Sequence, residues 1–197
     1  TLASSESLRI GTSSTRRRAF LSHFYPQHTA VEMRGNLQTR LEKLKNGDCD
    51  AMLLAYAGVH RMEMESYITQ HLEINQFVPA VGQGSVAIQC AVSLNEDVKS
   101  LVRKACNHPE TEARLLTERH LLAHLEGGCS VPVYGHAVLK GDKIALHAGV
   151  LSLDGVENIF HSAQGSDPAI LGKEVAMELI HLGAHQLLRK IRQQLGS

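Results

Sequence analysis

The stretch LRIGTSSTRR, residues Leu8–Arg17, decides the fold of the first half of the chain. Leu8–Ile10 is typical of a short strand, and the glycine and hydroxyl residues of Gly11–Ser14 are typical of a turn. A helix is predicted to follow from about Thr15 to Phe24. A strand, a tight turn and a helix in this order are the building unit of an α/β layer.

Two further strands extend this pattern downstream. The second is predicted at 29–33, before a helix over 36–46 that Gly47 ends. The apolar run at 51–55 predicts a third strand, buried on both faces. Because strands alternate with helices, we predict a parallel or mixed sheet whose ligand-binding loops lie at the carboxyl ends of its strands.

The second half of the chain has a different organisation. The segment PAVGQG, Pro79–Gly84, is a glycine-punctuated connection, after which a strand is predicted at 85–92. Helices are expected at about 95–106 and 110–125. Turn signals then separate three predicted strands, at 133–139, 143–151 and 157–164. An amphipathic helix is predicted over 167–195, with a break at Gly183. This half is therefore predicted to be a small α+β domain with an antiparallel sheet.

Composition excludes several classes of function. Twenty Lys and Arg residues balance twenty Asp and Glu residues, which argues against bulk nucleic-acid binding. Apolar runs fall far short of the roughly 18 residues that span a bilayer, so we expect no membrane segment, and no secretory signal is expected either. Four cysteines without a C-x-x-C pair favour a reducing, cytoplasmic setting.

The net charge of zero is unevenly distributed along the chain. Residues 1–61 hold nine Lys and Arg against five Asp and Glu, a formal +4, and residues 62–197 hold eleven against fifteen, a formal −4. Arginine supplies most of the excess, and its planar guanidinium binds carboxylate or phosphate in a bidentate manner. Basic residues follow each of the first three strands, which predicts a shared anion site formed by Arg16, Arg17, Arg34, Arg40 and Arg61. The alternative is capped helices with solvated basic first turns.

Cys129 lies on a loop, after Gly127 and Gly128 and before Pro132. A cysteine in such a position is available to react, although a buried cysteine that packs as a small apolar residue remains an alternative. His120 and His124 have i, i+4 spacing, and with Cys129 they could be drawn as a metal site. The intervening residues lack the glutamate of an HExxH motif and no fourth ligand is evident, so we predict hydrogen-bonded or solvated imidazoles and no metal.

Six stretches, taken in order, resemble the porphobilinogen deaminase family. They are GTSSTRR (11–17), RGNLQTRL (34–41), AGVHR (57–61), PAVGQG (79–84), NHPET…TER (107–119) and LEGGCSVP (125–132). Their order and spacing cover nearly the whole chain. LEGGC with a following VP, downstream of PAVGQG, is a highly specific combination.

The resemblance implies a transferase, hydroxymethylbilane synthase. Family members carry a dipyrromethane cofactor in thioether linkage to the cysteine of the GGC loop, here Cys129. Four porphobilinogen molecules are added to it with loss of ammonia, which gives hydroxymethylbilane for tetrapyrrole and haem biosynthesis. Each pyrrole carries acetate and propionate groups, and the positions implied to bind cofactor or substrate are Ser14, Arg16, Arg17, Arg34, Arg40, Arg61 and Gln83. A non-catalytic module that binds small carboxylates is the alternative function.

The resemblance also implies a division into domains. Residues 1–84 correspond to an α/β domain like those of periplasmic binding proteins, and 85–106 to a segment that returns to the family's first domain. Residues 107–197 correspond to an α+β domain that carries Cys129 and has a three-stranded antiparallel sheet packed by helices. The first domain, with its catalytic aspartate, has no counterpart here, so no catalytic residue is assigned and the chain alone is expected to be inactive. The expected partners are porphobilinogen, its linear oligomers and a domain or chain that supplies the first domain, but neither nucleic acid nor a membrane.

Overall fold

The first half of the chain forms the expected α/β layer. The computed structural model describes residues 1–128 and 130–196. Its first elements are β1 (Arg9–Gly11), α1 (Thr15–Phe24), β2 (Thr29–Val31), α2 (Leu37–Lys45), β3 (Ala51–Met52) and α3 (Tyr56–Arg61). The three strands are parallel in the order β2-β1-β3, which confirms a parallel sheet. The likeness to periplasmic binding proteins stays a prediction.

Two strands of this sheet are shorter than predicted. β2 ends at Val31 rather than residue 33, and β3 covers only Ala51–Met52 of the apolar run at 51–55. Both strands pair only with β1, which is itself three residues long, so the ladder stops where β1 stops. The turn after β3 leads directly into α3, which the sequence did not predict.

The second half forms the predicted α+β unit. Its elements are α4 (Glu96–Cys106), α5 (Pro109–His124), β4 (Val133–Lys140), β5 (Lys143–Leu151), β6 (Asn158–Gly165), α6 (Pro168–His181) and α7 (Ala184–Leu195). The sheet order β4-β5-β6 is antiparallel throughout, as predicted. Gly141 and Gly155 lie in the two hairpin turns, and Gly183 separates α6 from α7; all three have positive φ. The main hydrophobic core lies between this sheet and the three helices α5, α6 and α7.

Helix α1, in the first half of the chain, packs against the antiparallel sheet of the second half. The ring of Phe20 packs against Tyr134 of β4 with centroids 5.1 Å apart. At the other end of the contact, Nδ1 of His23 donates to the carbonyl oxygen of Gly155, 2.6 Å away. A Cβ on Gly155 would lie 2.6 Å from the carbonyl oxygen of Ala19, so the β5–β6 turn approaches the helix as closely as a glycine permits. The antiparallel sheet therefore fixes the helix that carries Arg16 and Arg17.

The prediction of a strand at 85–92 is wrong. In the structure these residues form no strand, and the apolar side chains of Val86 and Val92 are 92% and 96% exposed. A single extended segment is not stable without a neighbouring strand to accept its backbone hydrogen bonds, and the described residues offer none. Helix α4, which follows, also leaves Leu101 65% exposed.

None of the helices in the described ranges is long and apolar enough to cross a membrane. The described cysteines, Cys49, Cys90 and Cys106, are all free thiols. Burial raises the pKa of the Cys49 thiol, which favours its protonated form.

Candidate functional site

Three loops meet at the carboxyl edge of the parallel sheet. Ser13, in the loop after β1, donates its hydroxyl to the carbonyl oxygen of Met33 at 2.6 Å, beyond the end of β2. Arg17 of α1 donates through Nη1 to the carbonyl oxygen of Leu53 at 2.9 Å, just after β3. The predicted convergence of strand-to-helix junctions is thus confirmed for all three strands.

Arg16 is a buried cation. It is 6% exposed, and its guanidinium donates to the Val78 carbonyl oxygen at 2.5 Å and to Oε1 of Gln83 at 3.1 Å. Burial, with a smaller contribution from the charge of Arg17, lowers its pKa to about 10. Arg16 therefore remains protonated at neutral pH and holds a positive charge against neutral oxygen acceptors.

Arg17 lies beside it on the first turn of α1. Its backbone N–H donates to the hydroxyl of Ser14, the N-cap of the helix, at 3.4 Å. Burial lowers its pKa, and the positive charge of Arg40 lowers that pKa further, so Arg40 lies within electrostatic reach. Arg40 itself donates through Nε to the Gly35 carbonyl oxygen at 2.8 Å. Arg16 and Arg17 therefore lie together at this edge, and the part of Arg40 in binding a ligand stays a prediction.

The positive charge at this edge is not neutralised within the described residues. No salt bridge there involves Arg16, Arg17 or Arg40. Adjacent like charges that are also buried are unfavourable unless an anion joins them. The N-terminus of α1, capped by Ser14, adds a further positive potential. An anionic ligand is the group that this arrangement favours.

A cavity of about 630 Å³ opens beside the two arginines. Arg16, Arg17 and Gln83 are among its polar lining residues, and most of the remaining wall is apolar, including Leu41 and Phe77. Asp50 also lines the cavity, and its carboxylate is paired with Arg9. Ligand cavities usually measure about 300–1,000 Å³ and combine apolar walls with a few polar groups. The lining suits a ligand that combines apolar groups with negative charge.

Arg34 and Arg61 lie outside this group. Arg34 is exposed and its Nε donates to a carboxylate oxygen of Glu32 at 2.6 Å. Arg61 is exposed at the end of α3. Neither residue lines the cavity, so their part in ligand binding remains a prediction.

Cys129 lies outside the described residues, and hydrogen bonds hold the residues that precede it. Arg192 of α7 donates to the Glu126 carbonyl oxygen at 2.5 Å, and the Gly127 N–H donates to the Leu122 carbonyl oxygen at 3.1 Å. A Cβ on Gly127 would lie 2.6 Å from Cδ1 of Leu122, so the loop packs closely against the side chain of Leu122. Helices α5 and α7 therefore fix the loop immediately before Cys129.

One of the two histidines with i, i+4 spacing forms a hydrogen bond within its own helix. Nδ1 of His124 donates to the backbone carbonyl oxygen of His120 at 2.8 Å, one helical turn earlier. Within residues 1–128 and 130–196, no three His, Cys, Asp or Glu side chains are grouped so as to hold a metal ion. Any site that includes Cys129 falls outside those ranges.

Two groups at this site were not identified from the sequence. The Val78 carbonyl oxygen accepts from Arg16, and a backbone acceptor leaves no signature in residue type. Glu118 is 4% exposed and binds the N–H of Gly82 next to Gln83. An acidic residue inside an otherwise amphipathic helix is the only sequence signal for it.

Comparison with known proteins gives a consistent result. Residues 2–99 match the family model described as porphobilinogen deaminase, dipyromethane cofactor binding domain, and residues 112–181 match porphobilinogen deaminase, C-terminal domain. A porphobilinogen deaminase of Desulfosudis oleivorans is 44% identical over 193 residues, which is 97% of this chain and 62% of that protein. One of Cytophaga hutchinsonii is 45% identical over 198 residues, covering 100% of this chain and 64% of that protein. The chain thus spans somewhat less than two thirds of these relatives, and it belongs to the porphobilinogen deaminase family.

Proposed function

We propose that this chain holds a dipyrromethane cofactor, and the pyrrole chain built on it, as part of a porphobilinogen deaminase. The observation that carries the proposal is the pair Arg16 and Arg17, two largely buried cations without an acidic partner among the described residues. A dipyrromethane with an acetate and a propionate on each ring has four carboxylates. Its charge is opposite to that of the pair, and charge-assisted hydrogen bonds to guanidinium groups are the strong kind.

The residues around the cavity have separate roles in this proposal. Arg17 uses one Nη1–H to bind the Leu53 carbonyl oxygen, and its remaining N–H groups are available to a carboxylate. Gln83 and Val78 hold the guanidinium of Arg16 in a fixed orientation. Apolar walls that include Leu41 and Phe77 exclude water from the rings, which strengthens the ionic contacts. Arg34, Arg40 and Arg61 are proposed to bind the carboxylates of further rings, and Ser14 to donate its hydroxyl.

Cys129 is proposed as the attachment point, on the strength of the LEGGC motif. A bound dipyrromethane would supply the free pyrrole α-carbon to which porphobilinogen is joined. One carbon–carbon bond would form, the carbon–nitrogen bond of porphobilinogen would break, and the proton displaced from the α-carbon would leave with the amine as ammonia. A thioether at Cys129 is proposed to keep that group bound to the chain through successive additions. Gly127 and Gly128, which precede Cys129 in the sequence, carry no side chains themselves.

The proposed domain division remains 1–84, 85–106 and 107–197. Residues 1–84 and 107–197 would hold the cofactor between them, in a cytoplasmic enzyme. The exposed apolar side chains of Val86, Ile88 and Val92 are proposed to pack against a further domain or chain that supplies the catalytic aspartate. We expect this chain alone to release no ammonia from porphobilinogen, because none of its residues is assigned to the proton transfers.

Binding of a synthetic dipyrromethane tetracarboxylate tests the proposal by calorimetry. Arg17→Met is expected to weaken binding about 10- to 100-fold, the effect of removing a charge-assisted hydrogen bond of about 1.5–3 kcal/mol. Arg18→Met is the matched control, since Arg18 is the next residue on the same helix but is exposed. Equal affinity of the Arg17→Met and Arg18→Met variants would refute the proposed carboxylate site.

The same experiment separates the enzyme from a non-catalytic carboxylate-binding module. Cys129→Ala leaves reversible binding of the free tetracarboxylate nearly unchanged under either function. Only the enzyme is expected to retain the dipyrromethane covalently, and only with an intact Cys129. A wild-type chain that binds simple mono- and dicarboxylates as tightly as the tetracarboxylate would favour the module.

A further inference from the structure

Glu118 is a buried carboxylate that does not line the cavity. It lies on α5, is 4% exposed, and accepts two backbone hydrogen bonds of 2.8 Å each. Oε2 accepts from the N–H of Gly82, and Oε1 accepts from the N–H of Ala137 on β4. One side chain therefore joins the connecting segment 79–84 to the antiparallel sheet of the second half.

The contacts around Glu118 join helix α5 to strand β4 and to the segment 79–84. Arg114, one turn earlier on α5, donates through Nε to the carbonyl oxygen of Ala137 at 2.7 Å. Both backbone groups of Ala137 are thus bound by α5, which closes part of the free edge of β4. The N–H of Gly135 also donates to the Pro79 carbonyl oxygen at 3.4 Å, so the segment 79–84 lies against the same edge.

Gly82 is adjacent to the residue that holds Arg16. Oε1 of Gln83 accepts a hydrogen bond from Nη2 of Arg16 at 3.1 Å. The carbonyl oxygen of Val78, the residue just before the segment, accepts from Nη1 of Arg16. Gly82 has a φ of 73°, a left-handed backbone conformation that glycine adopts without strain. The hydrogen bond to Glu118 is the side-chain contact that fixes its N–H.

Retaining a charge at this position is unfavourable without a compensating role. Burial raises the pKa of Glu118, opposed by the two backbone N–H groups and by the charge of Arg114. His136 lies beside the carboxylate, with Nδ1 3.9 Å from Oε1. An apolar side chain would avoid the desolvation of a carboxylate but would leave the N–H groups of Gly82 and Ala137 without an acceptor.

We propose that Glu118 is a positioning residue, through which the C-terminal half sets the orientation of the Arg16 guanidinium for carboxylate binding. It acts through the N–H of Gly82 and the side chain of Gln83 and makes no contact with the ligand. The proposal rests on the proposed function for its consequence in binding, but the structural step from Glu118 to Arg16 is independent of any ligand.

Glu118→Gln tests this step because the amide has nearly the same shape but only one acceptor oxygen. Its NH₂ group must then face either the Gly82 N–H or the Ala137 N–H. Glu110→Gln is the matched control, since Glu110 is an exposed residue in the first turn of the same helix. Glu118→Asp is the second variant: it keeps the charge, but its shorter side chain cannot reach both N–H groups.

Nuclear magnetic resonance of the folded chain gives the first measurement. In Glu118→Gln and Glu118→Asp, we expect the Gly82 amide and the Arg16 side-chain resonances to shift and exchange of the Gly82 amide proton to accelerate about tenfold or more. The Arg17 side chain, held by Leu53 rather than by the segment, is expected to keep its resonance. At a temperature where each variant is fully folded, a loss of global stability alone would not shift the Arg16 resonances while leaving the Arg17 resonance unchanged.

Calorimetry with the dipyrromethane tetracarboxylate gives the second measurement. Glu118→Gln is expected to weaken binding about tenfold, and its effect is expected to disappear in a Gln83→Ala background, because both residues act on Arg16 in one hydrogen-bonded network. Additive effects of the two substitutions would overturn the proposal, as would unchanged Arg16 resonances in both Glu118 variants. If the wild-type chain does not bind the tetracarboxylate, the proposed function fails, and the resonances of Gly82 and Arg16 still decide the role of Glu118.

Discussion

Gly155→Ala is expected to loosen the contact between the β5–β6 turn and helix α1. Gly155 has a φ of 76°, and a Cβ at this position would lie 2.6 Å from both the Ala19 carbonyl oxygen and the His23 nitrogen. Both neighbours are backbone atoms of a helix and cannot rotate away. The turn must therefore retract from α1, which breaks the hydrogen bond between His23 and Gly155.

The magnitude can be separated into two parts by a matched variant. Gly141, in the β4–β5 turn, has a φ of 65°, and a Cβ at this position would meet no neighbouring atom within 4 Å. Gly141→Ala therefore carries only the backbone penalty of about 1–2 kcal/mol. Gly155→Ala carries that penalty and an overpacking penalty of about 1–3 kcal/mol. The difference of about 2 kcal/mol corresponds to about 4–8 °C in Tm for a chain of this length.

Urea unfolding and calorimetry of both variants measure this difference directly. Retraction of the turn also releases the C-terminal end of α1, so Gly155→Ala is expected to weaken tetracarboxylate binding, whereas Gly141→Ala leaves it unchanged. Equal losses of stability in the two variants would refute the close approach of the turn to α1. Equal affinities would refute the claim that the antiparallel sheet fixes the helix carrying Arg16 and Arg17.

Two further predictions concern single polar contacts. Hydrogen bonds from the side chain and backbone of Arg9 hold the pKa of Asp50 below its ordinary value of 3.8, so its stabilising effect is present above that pH and is lost as the pH falls through the lowered pKa. Urea unfolding between pH 5 and pH 2.5 is therefore expected to show a smaller loss of stability in Asp50→Asn than in the wild type, and identical losses would contradict this. Tyr134→Phe removes the hydrogen bond of 3.0 Å to Asn158 and is expected to lower the free energy of unfolding by about 1 kcal/mol, measured in the same way. Burial raises the pKa of Tyr134 to about 12, so this effect is expected to be constant from pH 6 to pH 9, and a decline within that range would show that the hydroxyl ionises there.

The sequence predicted the elements whose signals are local. Asn36 caps α2 with a side-chain hydrogen bond of 2.9 Å to the N–H of Thr39, and Gly183 separates α6 from α7, because caps and glycine turns depend on neighbouring residues only. The convergence of Arg16 and Arg17 on one edge followed from the topology of parallel strands. Arg40 adds positive charge near Arg17, and its part in ligand binding stays a prediction.

What the sequence did not predict depends on contacts between distant residues. The strand at 85–92 has the right residue types, but Val86 and Ile88 find no neighbouring strand among the described residues. The ion pair of Arg34 with Glu32 was not predicted either, and the part of Arg34 in ligand binding stays a prediction. The role of Glu118 depends on Gly82 being brought to α5, which no pattern within the helix specifies.

Covalent attachment at Cys129 is tested most directly by intact-mass measurement. The chain is combined with the part of the Desulfosudis oleivorans relative that it does not match, and the mixture is supplied with porphobilinogen. We predict an added mass of one dipyrromethane in the wild type and in Cys106→Ala, which changes an exposed cysteine, and none in Cys129→Ala. A wild-type chain that gains no mass, or a Cys129→Ala chain that gains the same mass, would contradict the central claim.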